Sequence, residues 1–221
     1  MERLGDCMYR QICKYEQECS IHCDRYKRTK YFLDISGIPK DRQGFNELKP
    51  STLDLNAFKQ LAEVKNNIDD FVDEGRILYL WSRNSGNGKT TWSIKLALQY
   101  INSIWQYYWE TAPVIFISVP DFLYSCKCFG TSEEKAAQNL RTAAKNAQLV
   151  IFDDVGVDYI SKYDYMALFS LIDVLTLNRK AMIFTSNYNK EDLEGIVGDR
   201  LPSRICNDIV VELKGMDRRG E

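Results

Sequence analysis

The sequence predicts a three-layer α/β fold with a five-stranded parallel sheet, and three observations point there. Short runs that are apolar throughout alternate with longer stretches of helical periodicity. A glycine-containing turn follows the first run, and two adjacent carboxylates follow the third. Strands without a polar face must be covered on both sides, which is the situation of a parallel sheet between two helix layers.

Residues 34–50 read as a connection, broken by Gly37, Pro39, Gly44 and Pro50. One helix is expected from Ser51 to Gly75. Ser51 stands before Asp54 at capping-box-like spacing, and Leu55, Phe58, Leu61, Ala62, Val64 and Ile68 recur at helical intervals. Residues 77–81 form the first buried strand and 90–109 the helix after it. Residues 113–119 are the second strand, followed by a mixed helical stretch over 121–147. Residues 149–152 are the third strand, 162–178 a helix, 181–185 the fourth strand and 208–213 the fifth. Three parts follow: a Cys-rich N-terminal module (1–33), a linker and helix (34–75) and a core (76–221).

The chain has 221 residues, 45% hydrophobic and 27% charged, with a net charge of −2. These values suit a globular domain and give no overall positive field to attract nucleic acid, so any such contact must be local. No apolar run approaches the roughly 18 residues of a membrane helix, and MERLGDCMYR lacks a secretory apolar stretch. A soluble cytoplasmic protein without membrane partners is expected. The only histidine is His22, inside a cysteine cluster, which disfavours Ser/His/Asp or Cys/His hydrolase chemistry.

The segment Arg83-Asn84-Ser85-Gly86-Asn87-Gly88-Lys89-Thr90 lies between a strand and a helix, the context that gives a phosphate-binding loop its meaning. Gly86 and Gly88 let successive N–H groups face a phosphate, and the helix N-terminus adds partial positive charge. Ser85, Gly86, Asn87, Gly88, Lys89, Thr90 and Thr91 are the expected ATP contacts. Lys89 would reach the β- and γ-phosphates and Thr90 would hold Mg²⁺. Arg83 occupies the position of the usual first glycine.

The run LVIFDD delivers Asp153 and Asp154 at a strand's C-terminal end, where open α/β sheets bind ligands. Asp153 would share the Mg²⁺ with Thr90, and Asp154 would orient the attacking water. The fourth strand ends in Thr185-Ser186-Asn187, and a polar residue there can reach the γ-phosphate or its water. Arg200-Leu201-Pro202-Ser203-Arg204 reads as a loop with two arginines suited to a neighbour's phosphate.

GNGKT, LVIFDDVG, FTSN, GDRLPSR and the terminal KGMDRRG together resemble the DnaC/DnaI/IstB branch of AAA+ proteins, from about Ile35 onward. Phage-encoded DnaC-like loaders are the most similar members, on a Cys-rich start, a Tyr-basic stretch (Arg25-Tyr26-Lys27-Arg28), Ile38-Pro39 and Trp81-Ser82. The resemblance implies a P-loop NTPase without a helical lid, with Asn187 as sensor 1, Arg204 as the arginine finger and Arg219 as a sensor-2-like arginine. It also implies self-association through the ATPase interface, binding to a DnaB-type replicative helicase, and loading of that helicase on single-stranded DNA. Residues 121–147 would correspond to the segment that lines a single-strand channel. Phe122, Tyr124, Lys127, Phe129, Lys135, Arg141 and Lys145 suit stacking and phosphate contact, and would equally suit covering the sheet.

Cys7, Cys13, Cys19 and Cys23 are spaced x5, x5, x3. Clustered thiols in a reducing compartment point to a metal before a disulfide, and so short a segment cannot bury a core of its own. A Zn²⁺ knuckle is expected, with His22 able to replace one thiolate and an iron–sulfur cluster as the alternative. In loaders such a module docks the helicase. Two other functions fit the motifs: an IstB-type transposition helper, and an adaptor that binds nucleotide without turnover.

Overall fold

The computed structural model describes residues 7–9, 13, 19–45, 51–107, 111–156 and 161–215. Five strands, β1 (Ile77–Trp81), β2 (Val114–Ser118), β3 (Leu149–Val155), β4 (Ala181–Ser186) and β5 (Ile209–Glu212), form one sheet in the order β2-β3-β4-β1-β5. Every pairing is parallel, with Leu78 opposite Ile183 and Ile209, and Val150 opposite Ile115 and Met182. The five strands are those the apolar runs marked, with ends moved by a few residues.

Alternation along each strand divides the core in two. Leu78, Leu80, Leu149, Ile151 and Ile183 face a layer made by α2 (Leu55–Asn66), α3 (Ile68–Asp73) and α4 (Lys89–Ile104). Tyr79, Val150, Phe152, Met182 and Phe184 face the other, with α5 (Val119–Lys127), α6 (Ser132–Asn146), α7 (Lys162–Leu177), α8 (Lys190–Val197) and α9 (Arg200–Ile205). Phe152 and Phe184 stack across neighbouring strands, with centroids 5.0 Å apart. Among the described residues, no helix is long and apolar enough to cross a membrane.

Several elements differ from expectation. The helix expected over 51–75 is broken at Asn67 into α2 and α3, which accept and donate around that residue separately. Gly75 does end the pair, in a left-handed conformation (φ 65°). Residues 121–147 are two helices, joined by a turn at Gly130, and 200–205 are helix α9 rather than a loop. A helix α1 (Asp24–Ser36) covers the Tyr-basic stretch. It lies on the first layer: Phe32 and Leu33 are buried, Arg25 bonds Asn102 at 2.6 Å, and Arg28 bonds the Gln106 carbonyl at 2.8 Å. Met8 and Tyr9 join the same core, and the Arg25 guanidinium sits 3.6 Å over the Tyr9 ring.

The expected zinc knuckle is not assembled. Among the described residues, which include Cys7, Cys13, Cys19, His22 and Cys23, no group of three or more potential ligands is gathered to hold a metal, and none of the four cysteines is in a disulfide. Cys7 and Cys13 instead pack against the first core. Burial raises the Cys7 thiol, a backbone bond near Tyr9 opposes this, and the other three thiols add repulsion.

Candidate nucleotide site

The site lies where the sheet's C-terminal edge meets the N-terminus of α4. Gly86 (φ 71°) and Gly88 (φ 101°) take left-handed conformations that other residues adopt at a cost, and Gly88 is the N-cap of α4. The loop therefore curls as its glycine pattern suggests. Asn87 is buried and ties the loop inward, donating to Ser82 Oγ and to the Leu213 carbonyl at 3.2 Å. Lys89 is 7% exposed and donates to the carbonyls of Asn84 (3.1 Å) and Ser82 (3.4 Å). Arg83 points away from the loop, toward Asp192 on α8 at 3.2 Å. An arginine at this position thus leaves the phosphate-facing backbone undisturbed.

Thr90 and Asp153 meet directly: the threonine hydroxyl donates to Asp153 Oδ2 at 3.1 Å. The other carboxylate oxygen accepts from Thr185 at 2.6 Å. Burial pushes the Asp153 carboxyl above its ordinary value, the two threonine hydrogen bonds and Arg42 pull it back, and Asp154 pushes it up further. A half-buried carboxylate with a hydroxyl beside it is the donor set a hard cation takes, so Thr90 and Asp153 fit Mg²⁺.

Asp154 departs from regular strand geometry. Its φ is 65°, and the β3–β4 register slips between Phe152 and Val155. This bulge turns the Asp154 carboxylate toward the cleft instead of back into the sheet. The Asp154 N–H donates to Thr185 Oγ1 at 2.9 Å, and Asn187 Nδ2 reaches Asp154 Oδ1 at 3.4 Å. Thr185 therefore ties the Asp153 carboxylate to the Asp154 backbone, a role that the motif pattern did not single out. A cavity of about 450 Å³ is lined by residues 85–91, Asp154, Asn187 and Arg42. Arg42 comes from the segment read as a connection.

One predicted residue lies away from this cavity. Arg204 is on α9, where it pairs with Asp173 of α7 at 2.7 Å and lies 4.6 Å from the Phe169 ring centroid. Arg219 is outside the described residues. In the 121–147 region, Phe122 is buried and Arg141 lies over its ring at 5.3 Å while donating to the Ala167 carbonyl, so these two hold helices together. Tyr124 and Phe129 are each 68% exposed, and Phe129 meets Tyr163 edge-on.

No protein-family model matches the chain. Over 150 residues it is 25% identical to the replicative helicase loader DnaC of Escherichia coli K12, a match covering 66% of this chain and 56% of that relative. The chain thus matches little more than half the length of this relative. Among solved structures, DnaI superposes with a TM-score of 0.59 at 19% identity, over 83% of this chain and 95% of DnaI. AMPPCP-bound DnaA from Aquifex aeolicus superposes with a TM-score of 0.56 at 21% identity, over 75% of this chain and 48% of DnaA. The latter two are likenesses of fold. With the loop, the paired carboxylates and the sheet order already in place, the chain is similar to DnaC in sequence and to DnaI and DnaA in its P-loop α/β fold.

Proposed function

We propose that the chain is an ATP-dependent loader that binds a DnaB-type replicative helicase and helps place it on single-stranded DNA. The observation that carries the enzymatic half is the cluster Thr90–Asp153–Thr185–Asp154–Asn187, closed by hydrogen bonds of 2.6–3.4 Å beside the curled loop. Similarity to a relative named as a helicase loader supports the other half.

In this reading the loop N–H groups and Lys89 bind the β- and γ-phosphates. Mg²⁺ held by Thr90 and Asp153 would neutralise phosphate charge. Asp154 accepts a hydrogen bond from the attacking water, and Asn187, already bonded to Asp154, orients that carboxylate and the γ-phosphate. Arg204 serves a neighbouring copy. Tyr124 and Phe129 supply exposed rings for base stacking. The four cysteines are not gathered as ligands, so neither zinc nor an iron–sulfur cluster enters the proposal. Helicase docking is assigned to the N-terminal region through α1 and its exposed residues.

The test is co-purification with a hexameric replicative helicase, with and without ATP, combined with phosphate release in the presence of single-stranded DNA. Helicase capture that depends on ATP, with DNA-responsive turnover, is the expected result. No capture under either condition would remove the loader reading.

A further inference from the structure

The segment between α1 and α2 places a second cation in the phosphate cleft. Arg42 lines the same cavity as the loop residues 85–91, Asp154 and Asn187. It ends a single 3₁₀ turn, Lys40–Arg42, whose position is fixed rather than loose. The Arg42 N–H donates to the Pro39 carbonyl at 2.9 Å, and Gln43 Nε2 donates to the Ile38 carbonyl at 2.8 Å. Ile38 is buried, and Gly37 (φ 77°) passes against the Phe116 carbonyl of β2, where a Cβ would sit 3.0 Å away. The turn is thus fastened to the sheet beside β2 and β3, the side that carries the carboxylates.

Charge balance makes the position informative. ATP brings about four negative charges near neutral pH. Lining the cleft are Lys89 and Arg42 as cations and Asp154 as an anion, with Asp153 bonded to the lining residue Thr90 and Lys95 in an adjoining hollow that also touches Arg42 and Thr91. Lys89 already bonds loop carbonyls at the inner end. Asp154 and Asn187 mark the outer end, where the last phosphate would lie.

We propose that Arg42 binds the terminal phosphate of the nucleotide held by its own chain, as a cation supplied in cis from the linker. This rests on the phosphate-site reading above and adds to it a residue that tells ATP from ADP. Arg42's charge also acts on Asp153, lowering that carboxyl against the effect of burial. Because only residues 37–39 separate α1 from the 3₁₀ turn, the same contact would report the presence of a third phosphate to the N-terminal region.

Calorimetry with ATP (as a non-hydrolysable analogue) and with ADP, in Mg²⁺, below the concentration at which copies associate, tests this. Arg42 is exposed, so its replacement leaves the fold in place, and unchanged thermal unfolding without nucleotide checks that. Arg42→Ala should weaken the ATP analogue about tenfold, the size of a charge-assisted contact, and leave ADP within about twofold. Arg42→Lys should recover part of the loss. Equal weakening of both nucleotides, or an ATP-analogue affinity within about twofold of the parent, would overturn the proposal. Lys89→Ala run in parallel separates the two readings. If it abolishes binding while Arg42→Ala does nothing, only the Arg42 proposal fails. If Lys89→Ala binds as the parent does, the phosphate site itself is misassigned and both fall.

Discussion

The carboxylate of Asp54 is wholly buried and accepts the backbone N–H of Gly215 with both oxygens, at 3.1 Å each, across 161 residues of chain. Oδ1 also takes the Lys214 N–H at 2.6 Å, and Ser51 donates to Oδ2 at 2.8 Å. From the other side, Asn84 of the loop donates to the carbonyls of Lys214 and Gly215 at 3.3 and 3.1 Å. The turn after β5 is therefore held between the start of α2 and the phosphate loop, so the loop's outer wall depends on a residue more than 20 positions upstream of it.

Breaking this latch should cost stability and loosen the loop together. Asp54→Ala leaves the buried Gly215 N–H and the part-buried Lys214 N–H without this acceptor, a loss of about 2–4 kcal/mol. Gly215→Ala would drive its Cβ into Asp54 Oδ2 and should also destabilise. Urea unfolding of both variants checks the sign. Stability within about 0.5 kcal/mol of the parent for both would show that the latch contributes nothing.

A second fastening predicts a pH dependence. Asp208, just before β5, takes a forked contact from Arg76 at 2.7 and 2.6 Å and the Ile77 N–H at 2.9 Å, joining the starts of β1 and β5. The Arg76 contact foremost, opposed by burial, holds the Asp208 carboxyl below its ordinary value. A depressed carboxylate contributes stability above its unfolded value of about 4, lost as pH falls through the folded value. Both side chains are partly exposed, so Asp208→Asn should cost only about 1 kcal/mol at pH 7. The gap between parent and variant should close under acid. A gap that persists unchanged at pH 2 would mean that the contact acts through packing and not charge.

The catalytic assignment separates binding from turnover. Lys89→Ala should remove tight ATP binding, since the loop has no other side-chain cation facing the inner phosphates. Asp154→Asn should keep ATP–Mg²⁺ binding and reduce hydrolysis by about 10²-fold or more, because an amide cannot take the water's proton. The bulge and the left-handed φ at Asp154 also suit asparagine, which tolerates that conformation, so the backbone should hold. Turnover within a few-fold of the parent would move the catalytic role elsewhere.

How far these features were legible depended on the distance between partners. The strands could be read because a two-sided burial demand leaves its mark on each residue of a run, as in LVIF. Gly86, Gly88 and Lys89 could be read because their chemistry is local to eight residues. Asp54 could not: its spacing to Ser51 suggests a cap, while its main partners are backbone groups at the far end of the chain. Arg42 was hidden in a segment whose glycines and prolines mark a connection but not where it docks. Phe122 and Arg141 have the composition of a nucleic-acid face, yet composition does not say which side of a helix meets the sheet. Arg204 was read as a free loop residue because α9 is only six residues long and its partner Asp173 lies on another helix.

That pairing shapes the last prediction, that Arg204 acts on a neighbouring copy's nucleotide. Asp173 receives Arg204 Nε at 2.9 Å and Nη2 at 2.7 Å, and both side chains are about one-third exposed. A pair this open to solvent contributes about 0–1 kcal/mol, so a neighbour's phosphate, with its larger charge, can draw the guanidinium away. Arg204→Ala should therefore leave stability within about 1 kcal/mol and ATP binding unchanged, while turnover in the assembled state falls by about 10³-fold. Mixing Arg204→Ala with Lys89→Ala should restore part of the activity, because some mixed interfaces join an intact loop to an intact arginine. Asp173→Ala distinguishes presentation from chemistry: it frees Arg204 without removing it, so turnover should fall far less than in Arg204→Ala. No recovery on mixing, at concentrations where light scattering shows assembly, would confine Arg204 to its bond with Asp173.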